Sequence, residues 1–368
     1  MKKNHPVLHF LFAFFALGFL TGCDTTSGIA TQDPQDGGES VKTVMVSTLA
    51  GREYGFADGV GSDAKFARLS GITIDAADNL YVVDTSNKRI RKITPAGEVS
   101  TLAGSEEVLA DGIERDASFY RPFSIAIDAT GNLFVADTLN NRIRKITPTG
   151  EVSTLAGGEK GFADGIGSDA KFDSPYGIAI DAAGNLYVMD NNRIRKITPT
   201  GEVSTLAGGE KGFADGIGSD AKFDWPSGIA IDAARNLYVA DFGNHRIRKI
   251  TPAGEVSTLA GGSRRGFSDG IGGDASFHYP SHIASDAAGN LYVTDRDGRL
   301  SNRFNENRIR KITPSGEVST LAGGREGYAD GVGSDAKFDW PNGIAIDAAG
   351  NLYVTDSTRI RKIEIRRP

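Results

Sequence analysis

One pentapeptide, Arg-Ile-Arg-Lys-Ile, begins at Arg89, Arg142, Arg193, Arg246, Arg308 and Arg359, with gaps of 53, 51, 53, 62 and 51 residues. A repeat of this period constrains the fold more than any other feature of the chain, because each unit must bury itself against its neighbours. Each copy follows a strand-like run ending in Asp, at Asp84, Asp137, Asp190, Asp241, Asp295 and Asp356. Upstream lies a Gly-Ile-Ala-Ile-Asp run, as in Gly177 to Asp181, and downstream Glu-Val-Ser-Thr-Leu-Ala-Gly, as in Glu151 to Gly157. These segments are rich in Ile, Val, Leu, Tyr and Thr, which suit strands. Turn signals such as Ala183-Gly184-Asn185 and Pro148-Thr149-Gly150 separate them. The pattern predicts an all-β chain, a six-bladed β-propeller of four-stranded antiparallel blades.

The two ends of the repeat array predict how the propeller closes. Val46 to Gly51 repeats the fourth-strand sequence with no blade before it, and the last blade runs out after its third strand, Arg359 to Ile365. The N-terminal strand therefore completes the last blade from outside. An open array would leave both end blades uncapped.

The strings Asn244-His245-Arg246-Ile247, Asn141-Arg142-Ile143 and Asn307-Arg308-Ile309, each behind a strand-two Asp, resemble the NHL repeat. The resemblance covers roughly residues 44 to 365 and implies the propeller already derived. It leaves function open, since sites are grafted onto folds.

The first 22 residues read as a processing signal. Lys2 and Lys3 precede an unbroken apolar run from Phe10 to Leu20, whose 11 residues are too few to span a bilayer. Leu20-Thr21-Gly22-Cys23 resembles the lipobox of bacterial lipoproteins, and Cys23 is the sole cysteine of the chain. The expected organisation is a signal peptide over 1–22, a lipidated flexible tether over 23–43 and the propeller over 44–368. Lipid on Cys23 would hold the protein in the bacterial cell envelope, on the periplasmic or surface side of a membrane. With one cysteine no intrachain disulfide can form, so the core must hold the fold.

Strand order places the turns after strands one and three on one side, and these are uniformly short. The connections after strands two and four lie on the other side. The latter carry Gly-Phe-Ala-Asp-Gly-Ile-Gly-Ser-Asp-Ala-Lys-Phe, at Gly161 to Phe172 for example, and blade five has an enlarged connection from Arg296 to Asn307. Binding is expected on this loop-rich side. Copies that differ at one repeat position are the candidates for specificity. Before the inner strand they read Arg68, Arg121, Ser174, Trp225, Tyr279 and Trp340. Two residues on they read Ser70, Phe123, Tyr176, Ser227, Ser281 and Asn342, followed by Gly except at Ser124 and His282. The candidate ligand-binding residues are Arg68, Arg121, Phe123, Tyr176, Trp225, Tyr279, His282, Trp340 and Asn342. The duller account is that the aromatics cover the blade tops.

Other signals carry less. Each fourth connection has two Asp five residues apart, such as Asp58 and Asp63. The expected role is a Gly turn with Asp or Ser capping a short helical turn; calcium is the alternative, though a calcium loop needs six to eight oxygens and normally more than two carboxylates. No other cofactor is expected. His245 reads as a solvated side chain, and His278 and His282 from one loop do not make a three-ligand zinc site. A net charge of −6 speaks against nucleic acid. The basic strands read as solvated rim charge, salt-bridged to the repeated Asp. The expected function is a monomeric cell-envelope scaffold that binds a protein, peptide or glycan. The alternative is a divergent propeller enzyme, a metal-dependent lyase or lactonase-like hydrolase.

Overall fold

A computed structural model describes residues 43–105, 111–113, 117–297 and 305–366. The expectations for the leader, Cys23 and the tether fall outside these residues, as do Asp116 and the middle of the blade-five insertion. Every repeat forms an antiparallel blade. Blade three runs Pro175–Ile180, Leu186–Asp190, Arg193–Ile197 and Glu202–Gly208, hydrogen-bonded in that order. Five of the six inner strands start on Pro, where the missing N–H costs no ladder bond.

Each blade has five strands where the sequence predicts four. A two-residue strand from the fourth connection, such as Gly165–Ile166, pairs with the start of the blade's outermost long strand, Val203 and Glu202. The same holds in all six sheets. The physical reason is the row of unpaired N–H and C=O groups that a fourth strand would leave at the edge.

The six blades close as predicted. Thr43–Ala50 pairs antiparallel with Arg359–Arg366, from Thr43 opposite Arg366 to Ala50 opposite Ile360. Its other edge takes Gly331–Val332. Sequence reasoning drew the last strand only from Arg359 to Ile365; it runs one residue further. The core lies between blades, in six apolar clusters that each join two neighbours. Ile72, Leu80 and Val82 of blade one, for instance, pack with Ala345, Tyr353 and Ile360 of blade six. Around the axis the inner strands approach so closely that a side chain is excluded at Gly177. A Cβ there would sit 2.4 Å from Ser227 O of the next blade.

The largest fully buried side chains are the second arginines of the repeated pentapeptide: Arg91, Arg144, Arg195, Arg248, Arg310 and Arg361. They are not solvated rim charge. In blade four Arg248 donates to Asp241 Oδ2 at 2.7 Å, Asp215 Oδ1 at 2.6 Å, Ala214 O at 2.7 Å and Lys222 O at 3.1 Å. Buried charge is tolerated because these acceptors replace water almost completely. Asp241 also accepts the Asp224 N–H and the Asn244 amide, at 2.9 Å each. Burial raises the Asp241 carboxyl to about 6 against these partners. The first arginine stacks instead: Arg246 lies over the Phe213 ring at 4.0 Å.

The Gly-Phe-Ala-Asp segment thus wraps the third strand. Its Phe stacks on arginine, its Ala carbonyl and Asp accept from the buried guanidinium, and its Gly-Ile pair closes the blade edge. Much of the long connection is scaffold and not the variable surface that its length suggests. The second Asp of each described pair sits in a short 3-10 turn, such as Gly167–Asp169, with no side-chain cap bond. The turn forms as the sequence predicts, but the predicted cap does not: the residue before the turn is Ile166, whose side chain has no oxygen to offer.

Candidate functional site

The residue before each inner strand stands at the loop-rich end of the channel. Arg68, Arg121, Ser174, Trp225 and Trp340 all take the left-handed backbone conformation, with φ of 55°, 49°, 64°, 50° and 68°. That conformation is costly for a residue with a Cβ and persists only where the surroundings impose it. Here the N–H of the residue before it is held by the strand-two Asp, as Asp224 N–H by Asp241 at 2.9 Å. The N–H of Trp225 itself donates to Asn192 Oδ1 at 3.2 Å. One backbone device therefore presents Arg, Ser or Trp at the same place in five of the blades.

These side chains line a cavity of two adjoining lobes, about 530 and 390 Å³, within the range of ligand pockets. Arg121, Phe123, Tyr176, Arg296 and Asn342 line both lobes. Trp225, Phe242 and Lys160 complete the larger lobe. Arg68, Lys88 and Trp340 complete the smaller. Seven of the nine sequence candidates, Arg68, Arg121, Phe123, Tyr176, Trp225, Trp340 and Asn342, thus meet at one site.

Phe123 and Tyr176, from neighbouring blades, stack with ring centroids 3.5 Å apart. Burial pushes the Tyr176 phenol up to about 12, against the pull of Arg296, Arg121 and Arg68. Trp225 is 68% exposed, and its ring is open to a partner. Asn342 is only 5% exposed, and its Oδ1 has no hydrogen-bond partner among the described residues.

Tyr279 and His282 stand apart from the lining. Tyr279 stacks on Phe242 at 4.6 Å, meets His278 edge-on at 4.7 Å and accepts a bond from Arg265 at 2.9 Å. It covers a blade top. His282 is buried, with its ring 5.9 Å from Phe123 across the channel and no partner for Nε2 among the described residues. Burial, reinforced by the Arg296 cation, pushes it down to about 4, so it is neutral at neutral pH. His278 is fully buried elsewhere, with Nδ1 3.3 Å from Arg296 O and Nε2 3.3 Å from Asp297 Oδ1. His245 is packed, not solvated: its Nδ1 bonds to His278 O and its ring lies 5.3 Å from Tyr279. Among the described residues no three His, Cys, Asp or Glu gather as metal ligands. The first Asp of each pair is held by the buried arginine, as Asp58 by Arg91 at 2.6 Å.

Arg296 and Phe242 were not singled out from sequence. They occupy one repeat position, directly after the strand-two Asp, which reads Thr85, Thr138, Asn191, Phe242, Arg296 and Ser357. The same blade-to-blade comparison would have found them. Arg296 opens the blade-five insertion and is 8% exposed, with its guanidinium 4.3 Å from the Trp340 ring. The start of the insertion therefore leans into the channel mouth.

Residues 223–250 match the family model of the NHL repeat. Teneurin-4 of Mus musculus is 28% identical over 360 residues, covering 84% of this chain and 13% of teneurin-4. NHL repeat-containing protein 2 of Bos taurus is 26% identical over 339 residues, covering 80% of this chain and 46% of that protein. The chain thus spans less than half the length of either relative. Among solved structures, an auxiliary nutrient binding protein from Bacteroides thetaiotaomicron superposes with a TM-score of 0.66 at 20% identity, over 88% of this chain and 77% of that one. Virginiamycin B lyase from Staphylococcus aureus gives a TM-score of 0.54 at 15% identity, over 89% and 100%. At such identities the two structures share the fold.

Proposed function

This chain is an NHL-repeat β-propeller, and we propose that it is a binding scaffold of the cell envelope whose ligand, a protein, peptide or glycan, seats at the channel mouth. One observation carries the reading. The positions that repeat without change build the blades, and those that vary among the blades converge on one cavity of aromatic and polar side chains. A rigid scaffold that presents varied groups at a single concavity is the arrangement of a recognition site. The lipobox-like Leu20 to Cys23 supports anchoring at a membrane through lipid on Cys23.

The test is a crosslinking pull-down from envelope membranes with the full chain and its variants. Trp225→Ala and Arg121→Ala lose the partner; Thr200→Ala, in a short turn at the opposite end, keeps it. All three keep the parent melting temperature, because the three side chains are exposed. Loss with the short-turn variant alone would overturn the reading. Cys23→Ala releases the protein from the membrane fraction, and unchanged fractionation would refute the anchor.

A further inference from the structure

The charge of the channel mouth is opposite to that of the molecule. The chain carries a net −6. Yet Arg68, Lys88, Arg121, Lys160 and Arg296 line the two lobes, against a single carboxylate, Asp173, among the described residues. That carboxylate lies 3.2 Å from Lys160 Nζ. Arg68, Lys88 and Arg121 have no carboxylate partner among the described residues. The second arginine of every repeat is paired with two carboxylates, as Arg248 is with Asp241 and Asp215, whereas these cations converge on one concavity without such pairing, and that marks a place for an external anion. A second, independent observation points the same way. The buried Asn342 amide, on the wall common to both lobes, has an oxygen without a partner among the described residues. A buried polar atom left unsatisfied is costly unless a ligand meets it.

We infer that the cavity takes a short acidic saccharide, one whose sugar rings carry carboxylates. The inference rests on the binding reading above and adds the ligand class. Guanidinium groups of Arg121 and Arg296 suit a carboxylate, which they can grip with two parallel bonds. The exposed Trp225 ring offers a flat apolar face against which the C–H face of a pyranose packs, while Asn342 meets its hydroxyls. A peptide docking as an added strand is disfavoured, because every blade edge already carries its short fifth strand. A long nucleic-acid polyanion is disfavoured by the net charge of −6.

Both tryptophans of the chain, Trp225 and Trp340, line this cavity, so intrinsic tryptophan fluorescence reports on it directly. The purified full chain is titrated with trimers of galacturonate, guluronate and glucuronate, with their methyl esters and with maltotriose, and each titration is repeated by calorimetry. At least one acid trimer shifts the tryptophan emission. Its methyl ester binds about tenfold more weakly or worse, and binding weakens between about 50 and 500 mM salt. Arg121→Gln and Arg296→Gln each weaken the acid to about the level of the ester. Because Arg296 is packed, the exposed Arg121→Gln carries the test if the other variant unfolds. Equal affinity for acid and ester, no response to any acid trimer, or acid binding unaffected by Arg121→Gln overturns the inference. If maltotriose binds and Trp225→Ala alone abolishes that binding, the channel mouth is still the binding site and only the acidic ligand class falls. Tighter binding of an acidic peptide or of oligo-dT overturns the saccharide assignment.

Discussion

Six times around the molecule an arginine is held between the same two carboxylates, and six times at the channel mouth one backbone position carries a side chain suited to its own blade. Arg91 and Arg248 are interchangeable: each is fully buried and each meets its strand-two Asp and loop Asp at 2.6–2.8 Å. Arg68 and Trp225 are also repeat equivalents with the same left-handed backbone, but they share no chemistry. The clamp cannot vary, because either partner left alone would be a buried unpaired charge. The mouth can vary where its side chains are exposed to the cavity, as Arg68, Arg121 and Trp225 are, because substitution there removes no buried contact.

The sharpest way to break this contrast is at the closure of the propeller. A chain beginning at Tyr54 lacks Thr43–Ala50, which contributes seven cross-strand pairs and the buried Val46. At about 1 kcal/mol per ladder hydrogen bond plus the burial term, the loss is on the order of 8 kcal/mol, comparable to the whole stability of a domain. Thermal melts should show it unfolded or aggregated beside a chain beginning at Thr43. Equal melting temperatures would mean that the last blade holds without its outer strand.

Removing one clamp is the next largest effect. Arg248→Ala strands the buried Asp241 and should cost about 3–5 kcal/mol in denaturant titration. A cost below about 1 kcal/mol would show that water reaches the clamp and that its sixfold invariance has another cause.

The smallest effect separates scaffold from site inside one blade. His282 occupies a position where four blades have Gly, and burial holds its imidazole down to about 4 from the usual 6.5. A base whose native pKa is depressed supplies stability above the unfolded value and loses it as pH falls toward the native one. The buried carboxylates Asp295 and Asp356, raised to about 7 by burial, act in the opposite direction. They cancel when the parent chain is compared with His282→Gly. Between pH 7 and 5 the parent should lose about 2 kcal/mol relative to that variant, measured by chemical denaturation. Parallel pH profiles would place His282 in contact with water.

The repeat period, its strand pattern and the orphan Val46 to Gly51 made the propeller and its closure legible before any coordinates, because strand sequence is local and sixfold repetition removes chance. Most of the mouth was legible too, since variation among copies of a constrained repeat marks positions the fold does not use. Three things were decided only in three dimensions. The Gly-Ile pairs became edge strands, because a blade edge exists only once four strands have assembled. The second arginine of each pentapeptide was indistinguishable by sequence from the half-buried first. Its burial arises where the Ala carbonyl and Asp of the wrapping connection fold over it from about 30 residues away, as the 33-residue separation of Arg91 and Asp58 illustrates. Arg296 reads as one charge in a polar insertion, and only the channel axis brings it over Trp340 from the next blade. Local pattern set the strands and their order; long-range closure set which charges are buried and which converge, because desolvation and pairing depend on neighbours that the chain supplies from other blades.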